Sequence, residues 1–200
     1  MSTPPPSRVS PAEPVLTIGY GSRSVAELVA LLQQHRFEVL VDVRSSPYSR
    51  FRPEFSREPL QAAVTAAGLR YVFQGQSLGG RPPAAECYED GRVVYNRLRE
   101  QPFYQEGILR LEKAHAQGMR LALMCSEGRP EECHRAKLIA ETLRERGIPV
   151  LHVDEAGTLE PHSAVIRRLT GGQLGLFGGP DFASRGRFSP PGTSTIDDEA

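Results

Sequence analysis

The chain has little of several things, and each shortage narrows the reading. There is no tryptophan, and the three cysteines are an odd number that cannot all pair within one chain. That excludes a small scaffold built on disulfides and leads us to expect free thiols in a reducing, cytoplasmic setting. Net charge is also absent, because 24 basic residues balance 24 acidic ones. No global field therefore draws the chain to nucleic acid or to a membrane surface. No apolar run approaches bilayer length, and the opening Met1-Ser2-Thr3-Pro4-Pro5-Pro6-Ser7 is too polar for a secretory signal. Lysine is scarce: Lys113 and Lys137 are the two, and arginine carries the remaining positive charge.

What is present is an alternation of short apolar runs and amphipathic stretches between Pro- and Gly-rich ends. Residues 1–14 read as a disordered tail, 15–169 as one domain, and 170–200 as a flexible tail rich in Gly, Ser and Pro. Within the domain, strands are expected at Val15–Gly19, Val39–Val43, Leu69–Phe73, Arg120–Met124 and Pro149–Val153. Between them lie helical patterns. The first opens on the capping box Ser24-Val25-Ala26-Glu27, and others cover 56–67, 103–117 and 133–146, each followed by a glycine. The stretch 74–92 reads as irregular. Strands alternating with helices predict an α/β fold: one three-layer domain with a mostly parallel sheet of about five strands.

In open α/β sheets, ligands bind beyond the carboxyl ends of the strands. That rule selects three loops: Gly19 to Arg23, Asp42 to Phe51, and Cys125 to Arg135. In the third loop, Cys133-His134-Arg135 opens the helix expected over 133–146, where free amides favour anions and lower a thiol pKa. Asp42, Glu127, Cys125 and His134 are the candidates for chemistry. Arg44, Ser45, Arg135, Cys133, Tyr20, Ser22 and Arg50 are the candidates for holding an anionic substrate. Bland roles compete with each: Cys125 as a small buried hydrophobe, Arg44 as the ion-pair partner of Asp42, and Tyr48, Phe51 and Phe55 as loop anchors. No cofactor is expected. Zinc is the weaker reading, because Cys-x7-Cys-His lacks the short hook of common zinc sites and adjacent Cys133 and His134 would point apart on a helix.

Four motifs also carry a resemblance. Thr17-Ile18-Gly19-Tyr20-Gly21-Ser22-Arg23, Val41-Asp42-Val43-Arg44-Ser45-Ser46-Pro47, Leu78-Gly79-Gly80 and Cys125-x-Glu127-x5-Cys133-His134-Arg135 occur in this order. From Val15 to Val153 the chain resembles the bacterial and archaeal family catalogued as domain of unknown function 488. Members of that family more often carry His and Asn in the first loop, where this chain has Tyr20 and Ser22 or Arg23. A weaker similarity is to rhodaneses, which pair Asp-Val-Arg with a Cys-x-x-Gly-x-Arg loop. Here Cys125-Ser126-Glu127-Gly128 is followed by Arg129-Pro130, and that proline removes an amide from any anion nest.

The tail adds Gln173-Leu174-Gly175-Leu176-Phe177. Gln173, Leu174, Leu176 and Phe177 resemble the short peptide by which bacterial replication and repair proteins dock on the sliding clamp, with a hydrophobic latch as the rival reading. The leading expectation is an enzyme or accessory factor of DNA repair that processes a damaged or modified base. In it, the clamp recruits the tail, and the arginines of 44–57 contact DNA phosphates. Two alternatives stay open: a cysteine-dependent enzyme acting on a small sulfur- or phosphate-containing metabolite, and a non-catalytic nucleic-acid adaptor.

Overall fold

The computed structural model describes residues 13–172 and 182–189. Gln173, Leu174, Leu176 and Phe177 therefore lie outside the described residues. In chain order the elements are β1 (Val15–Gly19), α1 (Val25–Gln34), β2 (Val39–Asp42), α2 (Arg57–Ala66), β3 (Arg70–Phe73) and α3 (Gly75–Leu78). Then come a hairpin of β4 (Tyr88–Glu89) and β5 (Arg92–Val93), α4 (Tyr95–Arg99), α5 (Pro102–Ala116) and β6 (Leu121–Cys125). The last elements are α6 (Glu141–Glu145), β7 (Val150–Val153), β8 (Leu159–Pro161) and α7 (His162–Thr170).

The main sheet has six strands in the order β3-β2-β6-β1-β7-β8. Every pairing is parallel except β7 with β8. The fold is thus the expected mostly parallel α/β sheet, with one further edge strand. Leu159-Glu160-Pro161 carries no apolar run, which is why β8 has no signature in the sequence.

Strand alternation divides the core in two. Val39, Val41, Leu121, Leu123 and Cys125 face one layer with α4, α5 and the 135–143 helix. Leu16, Ile18, Leu40, Ala122 and Met124 face the other, with Leu28 and Leu32 of α1 and Leu60 and Val64 of α2. The capping box forms as read: Ser24 Oγ accepts from Glu27 N at 3.2 Å, and Glu27 Oε2 accepts from Ser24 N at 2.7 Å.

Three local departures matter. The 74–92 stretch is ordered into α3 and the β4–β5 hairpin. The helix expected over 133–146 is broken: a 3-10 turn at Pro130–Glu132, an extended Cys133, a π-helix over Arg135–Ala140, then α6. Finally, part of the tail read as flexible is fixed to the domain. Tyr95 N donates to Phe182 O, Ser184 N to Val93 O, and Val93 N to the buried Ser184 Oγ, at 2.9–3.0 Å. Arg81 stacks on Phe188 at 4.0 Å. Composition could not show this, because backbone pairing with β5 and two aromatic side chains hold a segment that is otherwise Ser- and Gly-rich.

A buried polar chain ties β1, β7, α7 and α6 together. Thr17 Oγ1 meets His152 Nδ1 at 2.6 Å, His152 Nε2 meets His162 Nδ1 at 2.9 Å, and His162 Nε2 meets Glu141 Oε2 at 2.8 Å. A carboxylate only accepts, so His162 donates from Nε2 to Glu141. Burial alone would raise the Glu141 carboxyl, but the hydrogen bonds from His162 and Arg144 hold it at about 2, against an ordinary 4.5. A depressed carboxyl stabilises the fold above its unfolded pKa and loses that contribution as pH falls through its folded value. Glu141→Gln should therefore be less stable at neutral pH by roughly 1–3 kcal/mol. It should also lack the extra acid sensitivity between pH 4.5 and about 2. Urea unfolding at several pH values checks this; an unchanged pH slope contradicts it.

Candidate functional site

The tips of β1, β2 and β6 bring the three loops together, as parallel strands require. They form one side of a cavity of ≈ 410 Å³ lined by Tyr20, Arg44, Ser45, Cys125, Glu127 and His134, among others. The 182–189 segment also lines it, with Ser184, Arg185, Gly186 and Phe188.

The loop after β6 is held by its carbonyls. Tyr20 N donates to Cys125 O at 3.1 Å and Gly21 N to Ser126 O at 2.9 Å. Arg135 donates through Nη1 to Glu127 O and through Nη2 to Gly128 O, the latter at 2.8 Å. Four successive carbonyls are thus turned to one side. Among the described residues, no amide of Ser126, Glu127 or Gly128 donates to a backbone carbonyl. Gly19 is required beneath this loop, because a Cβ there would run into the Glu127 carbonyl and the Arg135 guanidinium. Arg135 is fully buried and does not line the cavity. It braces the loop and is not placed to hold a substrate anion.

Cys125, Glu127, Cys133 and His134 form one cluster. Glu127 Oε2 lies 2.9 Å from Cys125 Sγ and 3.1 Å from Cys133 Sγ. His134 Nδ1 is 3.7 Å from each sulfur. His134 Nε2 sits 3.1 Å from Val43 O, and a carbonyl accepts only, so the hydrogen is on Nε2 and Nδ1 is free to take a thiol proton. Gly80 lets the ring fit, since a Cβ there would meet His134 Cγ.

The electrostatics separate the two thiols. The hydrogen bond from Cys133 lowers Cys125 to about 6; burial opposes this, and the charge of His134 supports it. Burial and the Cys125 neighbour push Cys133 well above the usual thiol range. Burial would raise Glu127, but the two thiols and His134 hold it at about 2. Burial disfavours charge on His134, yet the Cys125 thiolate outweighs this and raises it. These shifts favour loss of the Cys125 proton beside His134 and keep the proton on Cys133.

A soft divalent cation is a further possibility for these donors. The ligand atoms of Cys125, Cys133 and His134 lie within 4.8 Å of one another. The sequence objection, that adjacent Cys133 and His134 diverge on a helix, does not hold, because Cys133 is extended (φ −112°, ψ 147°). Glu127 does not complete such a set. A sulfur and an oxygen on one tetrahedral ion stand about 3.5 Å apart, farther than the 2.9 and 3.1 Å found.

Asp42 is committed elsewhere. It accepts from Arg44 Nε at 2.9 Å, Arg44 Nη2 at 2.6 Å and Arg44 N at 3.1 Å, all buried, and from the half-buried Tyr71 OH at 2.6 Å. Burial opposes charge on Arg44, and Asp42 more than compensates. Among the described residues the buried Arg44 Nη1 has no hydrogen-bond partner, and Arg44 is part of the cavity wall. Tyr20 stacks on Phe55 at 4.1 Å, beneath Arg44.

Of the remaining candidates, Ser45 Oγ accepts from Arg81 N at 2.9 Å on the cavity wall. Ser22 and Arg50 are exposed and off the wall, and Arg50 stacks on Phe51 at 4.6 Å. Tyr95 and the 182–189 segment were not singled out from the sequence. Leu78-Gly79-Gly80 was visible as a motif, and its signal was the pair of glycines that pack on Ser45 and His134.

The anchoring of Arg44 is testable. Asp42→Asn should destabilise the fold by about 3–5 kcal/mol, since it leaves a buried cation without its partner. Tyr71→Phe should cost about 1 kcal/mol. Chemical denaturation separates the two, and equal small losses would mean that Arg44 reaches solvent.

No curated protein and no solved structure matches the chain. The pattern described as "Domain of unknown function DUF488" does, over residues 24–143. That span carries Asp42, Arg44, Leu78-Gly79-Gly80 and the whole Cys125–Arg135 loop. The chain belongs to the DUF488 family.

Proposed function

We propose that the protein is a cysteine-dependent enzyme acting on a small anionic metabolite, with Cys125 as nucleophile. One observation carries this: Cys125 lies on a cavity wall with His134 Nδ1 at 3.7 Å and its own thiol lowered to about 6. A nucleophile beside a base whose other nitrogen is fixed by a third group is the pattern of thiol catalysis. In this reading His134 takes the Cys125 proton at Nδ1 and returns it to the leaving group. The unpartnered Arg44 Nη1 supplies a donor for substrate charge. Asp42 and Tyr71 position Arg44 and do not touch substrate. Three free thiols fit work in a reducing compartment, so the cytoplasm is the proposed location. Among the described residues, no helix is long and apolar enough to cross a membrane.

A second reading keeps DNA as the substrate, and one observation favours it. Phe51 is 84% and Tyr48 69% exposed, Tyr48 reaches the cavity rim, and Arg50 lies over Phe51. An aromatic ring at the pocket rim, with an exposed Phe–Arg pair close by in sequence, suits an unstacked base. A tail docked on a sliding clamp would belong to this reading. It predicts salt-dependent binding of single-stranded DNA that falls when Phe51 and Arg50 are replaced by alanine. If that double variant and the parent bind DNA equally, this reading fails.

The thiol reading predicts that iodoacetamide labels Cys125 before Cys87 or Cys133 at neutral pH. The pH midpoint should lie near 6 and move up in His134→Gln, and phosphate or thiosulfate should protect the thiol. Peptide mapping reads all three. Labelling of Cys125 no faster than that of buried Cys87 would sink the assignment.

A further inference from the structure

The proposed function uses Cys125 and leaves Cys133 without a role, although both sulfurs share the same two partners. Their positions differ in one respect. Cys125 lines the cavity, whereas Cys133, equally buried, does not. Cys133 lies behind it, with its sulfur within 4.8 Å of the Cys125 cluster atoms. Glu127 Oε2 reaches both sulfurs, and His134 Nδ1 is equidistant from them at 3.7 Å. The extended backbone at Cys133 turns its side chain toward Cys125 rather than along the following helix. The third thiol, Cys87, is buried at the end of the 3-10 turn Ala85–Cys87 and has no part in the cluster.

Two neighbouring sulfurs, one facing the substrate and one behind it, with a shared base between them, have a chemical use that one sulfur lacks. The first can open a sulfur–sulfur bond and the second can release the product from it. Resting on the nucleophile reading above, we propose that Cys125 and Cys133 are a two-thiol couple and that the cavity takes a small anionic disulfide as substrate.

The steps balance as follows. The Cys125 thiolate attacks one sulfur of R–S–S–R′, the S–S bond breaks, and R′S⁻ leaves with the proton held on His134 Nδ1. Cys125 is now joined to RS. Cys133 then gives its proton to His134 Nδ1, and its sulfur attacks Cys125 Sγ. RS⁻ leaves with that proton, and a Cys125–Cys133 disulfide remains. The substrate has gained two electrons and two protons, and the protein has lost them. A thiol or dithiol reductant of the cell returns the couple to its reduced state by the same exchange. Arg44, which lines the cavity and has one guanidinium nitrogen left without a hydrogen-bond partner among the described residues, selects a substrate bearing a carboxylate or similar anion.

The test uses the full chain, dithiodiglycolate as the anionic probe, and hydroxyethyl disulfide as its uncharged control. Intact-mass measurement follows the protein, and a thiol assay follows the product. The reduced parent should lose the mass of two hydrogens, keep no adduct and release both halves of the probe as thiol. Cys133→Ser should stop at one adduct on Cys125 and release half as much thiol. Cys133→Ala serves as its replicate if the serine variant misfolds. Cys125→Ser should not react, and the anionic probe should react roughly tenfold faster than the control. A parent that keeps the same stable adduct as Cys133→Ser overturns the resolving role while leaving the nucleophile in place. No adduct in any variant, with Cys125 still readily alkylated, overturns the disulfide substrate. Stoichiometric zinc that masks both thiols overturns the couple outright. Cys125 inert to iodoacetamide as well would fail the underlying reading instead.

Discussion

A buried arginine sets the shape of the site. Arg135 is the largest fully buried side chain among the described residues, and its guanidinium donates to two backbone carbonyls. Taking a guanidinium out of water costs several kcal/mol, and two carbonyls offset that only in part; its Nε stays unpartnered. Stability alone does not explain such a residue. What it achieves is geometric. By drawing the carbonyls of Glu127 and Gly128 inward, it fixes the loop that follows β6 and leaves the Glu127 side chain on the cysteine side. Gly19 is part of the same device, since any side chain there would displace the loop.

The second constraint is the Asp42–Arg44–Tyr71 network on the neighbouring strands. It spends three of the Arg44 nitrogens, counting the backbone amide, and leaves Nη1 over. The result is a cation fixed in direction rather than a mobile side chain. That kind of preorganisation reduces the entropy lost on binding. The acid chemistry that the sequence suggested for Asp42 has given way to a positioning role, for the reason that all its hydrogen bonds are already made.

The fold was legible because its signals are local. β-branched runs such as Val39–Val43, the Ser24–Glu27 capping box and the glycines Gly68, Gly118 and Gly147 after helices state their own structure. β8 was not legible, because a three-residue edge strand is formed by pairing with β7 rather than by its composition. The docked 182–189 segment was missed for the same reason: its contacts with β5 and Arg81 are distant in sequence. At the site, the Cys125–Arg135 loop picked out from the sequence does lie on the cavity wall, but the placement of its side chains was not readable. Helical spacing sent Cys133 and His134 apart, and the extended conformation at Cys133 reverses that. Arg135 looked like an anion holder and is a loop brace, a distinction that depends on which way four carbonyls point. The chain of Thr17, His152, His162 and Glu141 had no sequence signal at all, because its members come from four separate elements.

The central claim is that Cys125 is a thiolate at neutral pH because Cys133 and His134 stand beside it. The ultraviolet absorbance of thiolate, followed against pH in the parent and in Cys125→Ser, tests it most directly. The account predicts one thiolate appearing with a midpoint near 6 in the parent and missing in the variant. No thiolate signal in the parent until the alkaline range of an ordinary cysteine, about 8.5, would contradict it.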